Sequence, residues 1–346
     1  MIGRLLRQDE EERWDRWLAS LGSSNVRQSS GYREALRLYR HRSEILVVEK
    51  QGRIVGGALL AIRPGMPGLG SVVRTSGGVA LADEEKLEGL RWVLGACLEY
   101  ARASRACCLE VSLRIPDRGQ DGVGAFSSLL RSEGFRFARP TGTYVVDLST
   151  KSEAELLARM GEGVRRDVRK AAREGVAVER SVDPADFVAF EDAMRHMERR
   201  KGVAAPPPGL VSQVLGDLAR KGAGDLFVAR QRGIPLNFAF VSSIGDPTYQ
   251  WGALTAAAHE TLGVPTGQIT HYEAMCYYRN VGRKRYDLGG SPGPVPDPSH
   301  PNYGVWRFKH SFRGCYVSFV GTWRFVLRPA SWTVLELLRK RDRRAR

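Results

Sequence analysis

Lysine is scarce in this chain. Of 53 basic residues only nine are lysine, and the rest are arginine. Cysteine is scarce as well: there are five, an odd number, with Cys107 and Cys108 adjacent and no CxxC pair. That argues against a disulfide framework and against a structural zinc site. His259, His271, His300 and His310 show no metal-ligand spacing, so no metal is expected. Long apolar runs are missing too, and none approaches the roughly 18 residues needed to span a bilayer. The amino terminus turns acidic at Asp9-Glu10-Glu11-Glu12, too early for a signal peptide. These absences point to a cytoplasmic protein with no metal or redox cofactor.

What is present is length and positive charge. A chain of 346 residues exceeds what one hydrophobic core usually organises, so two domains are expected. The formal net charge is +15. Arginine usage by itself reflects genome base composition as readily as function, but a net excess of this size implies an anionic partner. Nucleic acid, a phosphorylated substrate and an acidic membrane surface all qualify.

The domains announce themselves as a repeat. Glu44 to Ala61 (EILVVEKQGRIVGGALLA) aligns without a gap with Asp225 to Ser242 (DLFVARQRGIPLNFAFVS), at an offset of 181 residues. Each reads as a β-hairpin with Gly52 or Gly233 at its turn. The first is followed by a helix pattern from Asp83 to Ser104 and a strand from Cys108 to Leu113. A helix from Ala125 to Ser132, capped by Gly134, precedes strand pieces at Phe135–Phe137 and Tyr144–Leu148. The second hairpin leads to Tyr249-Gln250-Trp251-Gly252-Ala253, a helix from Gly267 to Val281 and a strand from Arg285 to Leu288. The pattern implies two copies of an α/β (α+β) unit with mixed sheets, with boundaries at 1–146 and 147–319, and 320–346 packing back on the first.

Between the copies, Ser152 and Glu155 form a capping-box pattern ahead of a basic helix. Its Arg165, Arg166, Arg169, Lys170 and Arg173 recur at spacings of one, three and four, either a solvated face or a track for phosphates. The most informative lysine is Lys309, in Gly304-Val305-Trp306-Arg307-Phe308-Lys309-His310-Ser311-Phe312-Arg313-Gly314. It lies beyond the carboxylate and glycine turn of Tyr286-Asp287-Leu288-Gly289-Gly290. A lysine so placed is either a fixed charge beside a reacting carbonyl or phosphate, or a snorkelling surface residue.

These segments together resemble the Fem-type peptidyltransferases. The resemblance rests on Tyr144 to Val178, the YQWGA segment, the helix ending in GRKRYDLGG, and GVWRFKHSFRG, and it is strongest from Tyr144 to Arg328. It implies two tandem GNAT-like domains without the coiled-coil arm of some members, because Met194 to Gly222 is short and interrupted by Pro206, Pro207 and Pro208. It also implies use of aminoacyl-tRNA to extend a UDP- or lipid-linked peptidoglycan precursor. The tRNA then acts as co-substrate rather than cofactor. Carried over residue by residue, the resemblance makes Lys309 catalytic, with Phe308 shaping the site. Asp287 either holds the incoming amine or caps its turn. Arg199, Arg200 and Lys201 either touch substrate phosphates or form a solvated helix end. Tyr249 and Trp251 line the acceptor groove or belong to the core. Arg165, Arg166, Arg169 and Lys170 are the expected tRNA contacts.

The chain also departs from the pattern. Leu288 stands where phenylalanine is usual and Arg313 where glycine is. His271-Tyr272-Glu273 replaces a tryptophan-containing helix start. Gln28-Ser29-Ser30-Gly31-Tyr32 resembles an early family element, but the phosphate-binding lysine after it is missing, leaving Arg33 or Arg37 to substitute. These departures bear on the acceptor, for which a small secondary-metabolite amine is the alternative. A further alternative is an acyl-CoA-dependent GNAT enzyme. Its pyrophosphate loop, [QR]-x-x-G-x-[GA], finds only a near miss at Gly119-Gln120-Asp121-Gly122-Val123-Gly124. A non-catalytic RNA-binding protein that kept the fold is the third. The carboxyl-terminal LRKRDRRAR is expected to contact tRNA or an acidic membrane surface, or to fray as a solvated tail.

Overall fold

The computed structural model describes residues 1–82, 86–116, 123–202, 204–260, 264–291 and 293–344. The chain forms two compact units, Met1–Thr141 with Ser318–Arg346, and Gly142–Val317. None of the described helices is long and apolar enough to cross a membrane.

The first unit begins with strand β1 (Ile2–Leu5) and helices α1 (Glu11–Ala19) and α2 (Arg33–Leu38). Strands β2 (Arg42–Lys50), β3 (Arg53–Arg63) and β4 (Val72–Leu81) come next, then α3 (Lys86–Ala103), β5 (Cys108–Pro116) and α4 (Val123–Ser132). Strand β6 (Arg136–Asp147) carries the chain into the second unit. The two strand pieces expected at Phe135–Phe137 and Tyr144–Leu148 are one continuous strand. The second unit adds α5 (Glu153–Arg159), α6 (Glu162–Arg173), β7 (Val176–Ser181), α7 (Pro184–Lys201), α8 (Gly216–Arg220) and β8 (Gly224–Gln231). It continues with β9 (Ile234–Ser242), β10 (Thr248–Leu254), α9 (Ala256–Glu260), α10 (Thr266–Asn280), β11 (Arg285–Gly290) and α11 (Tyr303–Ser311). Strand β12 (Cys315–Val326) returns to the first unit, where α12 (Pro329–Arg344) ends the chain.

In the first unit the strand order is β1-β2-β3-β4-β5-β12, and in the second β6-β11-β10-β9-β8-β7. Both are mixed: the β4–β5 and β10–β11 contacts are parallel and the others antiparallel. Strand β3 is buried over its whole interior, as expected where a sheet is covered on both faces.

The hairpin repeat holds at atomic register. Glu44 pairs with Leu60 and Asp225 with Val241; Val47 pairs with Gly57 and Val228 with Phe238. Every partner keeps the 181-residue offset. The register slips between Val48 and Glu49 in one hairpin and between Ala229 and Arg230 in the other, again at that offset. Both turn residues have positive φ in each case, Gln51-Gly52 and Arg232-Gly233, the geometry of a two-residue hairpin turn matched to strand twist.

The capping-box pattern and the basic helix belong to two separate helices, α5 and α6. Ser152 caps α5 by accepting from the Glu155 amide at 3.1 Å. The chain then breaks at Met160-Gly161, where the Gly161 amide donates to the Ser311 carbonyl at 3.0 Å. A Cβ at Gly161 would stand 2.6 Å from that oxygen. The break therefore seats the α5–α6 corner on the end of α11.

Candidate active site

The site starts from a fault in the sheet of the second unit. Strands β10 and β11 share parallel register only at Thr248 and Asp287. Beyond that pair, β10 bulges against β9 between Tyr249 and Trp251, and β11 slips against β6 between Asp287 and Gly290. A bulge adds a residue and re-aims the side chains beyond it. Here it turns Tyr249 toward His271 of α10, ring centroids 4.6 Å apart, while Trp251 lies against Phe240 at 6.2 Å. Phe240 shares a strand face with Phe238, which stacks on Phe190 of α7. The two aromatic residues of YQWGA thus occupy opposite faces, and only Tyr249 joins the site.

Asp287 is buried, and its Oδ1 accepts from the Gly289 amide at 2.7 Å and from the Thr143 hydroxyl. Thr143 Oγ1 also lies 2.7 Å from the Gly289 carbonyl oxygen. The carboxylate therefore caps the turn that opens at Gly289. That residue has a φ of +78°, and a Cβ there would meet the Tyr249 carbonyl at 2.7 Å and Lys309 Nζ at 3.4 Å. Only glycine fits the backbone and leaves the lysine its place.

Lys309 enters from α11. Trp306 and Lys309 are the buried residues of that helix, one turn apart on the same face. The Trp306 indole donates to the Tyr144 hydroxyl at 3.3 Å, which fixes the rotation of the helix. Lys309 is only 6% exposed, so the snorkelling alternative does not apply. Its Nζ donates to the Gly290 carbonyl at 2.8 Å and lies 5.8 Å from the centre of the Tyr249 ring. Burial pulls the ammonium down to about 8, and the Asp287 carboxylate partly offsets that. Burial pushes the Tyr249 phenol up to about 12. His271 is drawn down to about 3 by burial and by the charge of Lys309, so it is neutral. Phe308 closes one side, its ring 5.5 Å from His271 and 5.2 Å from Phe312.

Lys309, Phe308, Asp287 and Tyr249 are thus brought together. Other expected residues lie elsewhere. In the first unit, Arg33 is committed to the Glu11 carboxylate and to Ser43, and Arg37 pairs with Glu34 at 2.7 Å. Arg199, Arg200 and Lys201 form the exposed last turn of α7, where cations complement the helix dipole. Arg165 turns back, its Nη1 donating to the carbonyls of Met160 (2.5 Å) and Ala158 (3.3 Å) at the end of α5. Arg166, Arg169, Lys170 and Arg173 lie on the side of α6 away from buried Val164, Val168 and Ala171. His310 is exposed. Gly119 to Gly122 of the near-miss loop lie outside the described residues, as do the side chains from Arg339 onward. Among the described residues, no group of three His, Cys, Asp or Glu side chains could hold a metal.

Three contributors were not legible as site residues. Thr143 and Tyr286 carry no signal in one dimension. His271 shows only as a lone histidine on a helix, and its surroundings come from three other elements.

Residues 158–309 match the family described as acetyltransferase (GNAT) domain. No curated protein matches the sequence. Among solved structures, FemX is similar at 18% identity, over 97% of this chain and 100% of that one, with a TM-score of 0.81. The C-terminal domain of a putative lysylphosphatidylglycerol synthetase from Agrobacterium fabrum is 12% identical, over 94% and 96% of the two chains, with a TM-score of 0.59. A tandem GNAT protein from the clavulanic acid biosynthesis pathway is 15% identical, over 94% and 98%, with a TM-score of 0.53. The chain has a GNAT-like acyltransferase fold in two units, a fold it shares with FemX.

Proposed function

We propose that this chain is an aminoacyl-tRNA-dependent aminoacyltransferase that acylates an amine of a peptidoglycan precursor. The observation that carries the reading is Lys309, a buried ammonium held over Tyr249 where β10 and β11 part. The acceptor amine attacks the ester carbonyl of the aminoacyl-tRNA, forming a C–N bond and a tetrahedral oxyanion. Lys309 stabilises that charge, and the ester C–O bond then breaks. The ribose oxygen leaves with a proton, and the amine loses one. An ester is already activated, so positioning and oxyanion stabilisation suffice and no covalent nucleophile is needed. In this scheme Asp287 keeps Lys309 charged and the Gly289 turn closed. The exposed cations of α6 are the proposed tRNA contacts, and the reaction belongs to the cytoplasm. The acceptor phosphates are assigned to Arg199, Arg200 and Lys201.

A second reading, acyl-CoA-dependent N-acylation, is favoured by the match of residues 158–309 to the GNAT domain family. One experiment separates them. Radiolabelled amino acids on bulk tRNA are offered with a UDP-linked cell-wall pentapeptide, with and without ribonuclease, beside parallel reactions with acetyl-CoA. Label reaching the pentapeptide only with intact tRNA is expected. Ribonuclease-sensitive label found instead in the small amines of a cell extract would move the acceptor to a secondary metabolite. Transfer from acetyl-CoA alone would overturn the tRNA reading.

A further inference from the structure

His271 occupies the centre of this site without a role in the proposed transfer. Its imidazole is 3% exposed and packs against rings from three elements. Tyr249 of β10 lies at 4.6 Å, Tyr286 of β11 at 6.0 Å, and Phe308 and Phe312 of the α11 end at 5.5 and 5.7 Å. Each neighbour adjoins a working part. Tyr286 precedes Asp287, Phe308 precedes Lys309, and Tyr249 underlies the Lys309 ammonium. Nδ1 of His271 is 3.1 Å from the Tyr286 hydroxyl, which is itself fully buried.

A purely apolar filler would suit such a cage better, unless the polar atoms are used. Removing either partner of a buried hydrogen bond strands the other at a cost, whereas removing both can be nearly neutral. The ring packs on Tyr249, over whose ring the Lys309 ammonium lies at 5.8 Å, so the two groups share one aromatic wall. The charged and titratable groups around it are Lys309, Tyr249 and Tyr286, with Asp287 beyond. Both phenols are pushed upward by burial and keep their protons. Nothing anionic touches the imidazole among these, so it remains neutral and does not compete with Lys309 for charge.

We propose that His271, pinned by Tyr286, is the positioning residue for Lys309: it holds the aromatic wall together and keeps water from the ammonium. This rests on the reading of Lys309 as the catalytic cation, so the test includes a readout independent of transfer. Competitive labelling of Lys309 with acetic anhydride across pH, followed by mass spectrometry, reports its titration in the unliganded protein. The parent midpoint should lie near 8. His271→Ala should raise it by one unit or more as water enters, while His271→Phe, which keeps the volume, should leave it in place. Transfer from charged tRNA to the UDP-linked pentapeptide is measured beside it. There His271→Phe and Tyr286→Phe should each lower kcat about tenfold with KM nearly unchanged, and the double variant should lose no more than either single one. A midpoint unmoved in folded His271→Ala would overturn the drying role. Additive losses in kcat would overturn the coupling. If His271→Ala does not fold, His271→Gln substitutes, keeping a hydrogen bond to Tyr286 but opening the cage. Lys309→Met with parental transfer would instead refute the catalytic reading, while the labelling result would still decide whether His271 keeps Lys309 dry.

Discussion

The proposed transfer places its chemistry on Lys309, whose burial also carries a stability penalty. Its ammonium is disfavoured in the fold, since burial lowers it from its ordinary value of 10.5 to about 8. The protonated form is the one that stabilises an oxyanion. Activity should therefore hold on the acid side and fall as pH rises through about 8, which a kcat–pH profile will show. Lys309→Met should abolish transfer yet raise stability by about 2 kcal/mol in urea unfolding, because it removes a desolvated charge. Loss of both activity and stability would instead mark Lys309 as structural. His271 adds a second pH signature. Its folded value lies below its unfolded one, so the unfolded chain takes up a proton first on acidification. Stability is untouched above pH 6.5 and declines below it toward about 3. His271→Phe should flatten that decline by up to about 1.4 kcal/mol per pH unit in urea titrations. The setting of Lys309 left a fixed charge and a snorkelling surface residue both open, and only the resemblance singled it out; its burial is the part the structure adds. His271 was not legible, because nothing on its own helix announces the tyrosines facing it.

At the scale of elements, period and turn chemistry were readable and irregularities were not. Gly52 and Gly233 marked both hairpins, and the shared offset extended even to their bulges. The bulge in β10 left no such mark, so Tyr249 and Trp251 read as neighbours on one face. The α5–α6 break was hidden inside a helical pattern, since one glycine in such a run is usually tolerated. Its cause is the Ser311 carbonyl on α11. Gly161→Ala should push that carbonyl away, costing about 2 kcal/mol of stability and lowering kcat through α11. Unchanged melting and turnover would show that the corner yields freely. The break also sorts the basic residues. Replacing Arg166, Arg169 and Arg173 together should weaken tRNA binding and reduce the slope of log affinity against log salt by about 2. Arg165→Ala should cost stability through its lost carbonyl contacts while leaving that slope alone. A slope unaffected by the triple change would return α6 to a solvated face.

At the scale of the molecule, the two units share a plan but differ in the side chains at the strand fork. The parallel contact that sets Thr248 beside Asp287 in the second unit sets Arg74 beside Glu110 in the first. Glu110 is as buried as Asp287, but Arg74 contacts it at 2.6 Å and Arg324 at 2.8 Å, with Trp332 lying on the Arg324 guanidinium. The helix beyond each strand repeats too: α4 ends at Ser132 four residues before β6, and α11 ends at Ser311 four residues before β12. That spacing puts Leu130, fully buried, where Lys309 stands. The first unit thus keeps a carboxylate at the strand fork but engages it with two guanidinium groups, and Leu130 takes the place of the lysine. Reaction is expected in the second unit alone. Glu110→Gln removes the charge that Arg74 and Arg324 share, although Arg324 keeps Glu336 at 3.2 Å, and should cost about 1 kcal/mol of stability. The folded fraction should nonetheless transfer at the parental kcat. Asp287→Asn should instead show a modest stability change and a large fall in kcat, because its oxygen still accepts from Gly289 but its charge no longer supports Lys309. Measuring kcat per folded molecule for both variants separates a working fork from its structural counterpart, and equal losses in the two would show that the units share the chemistry after all.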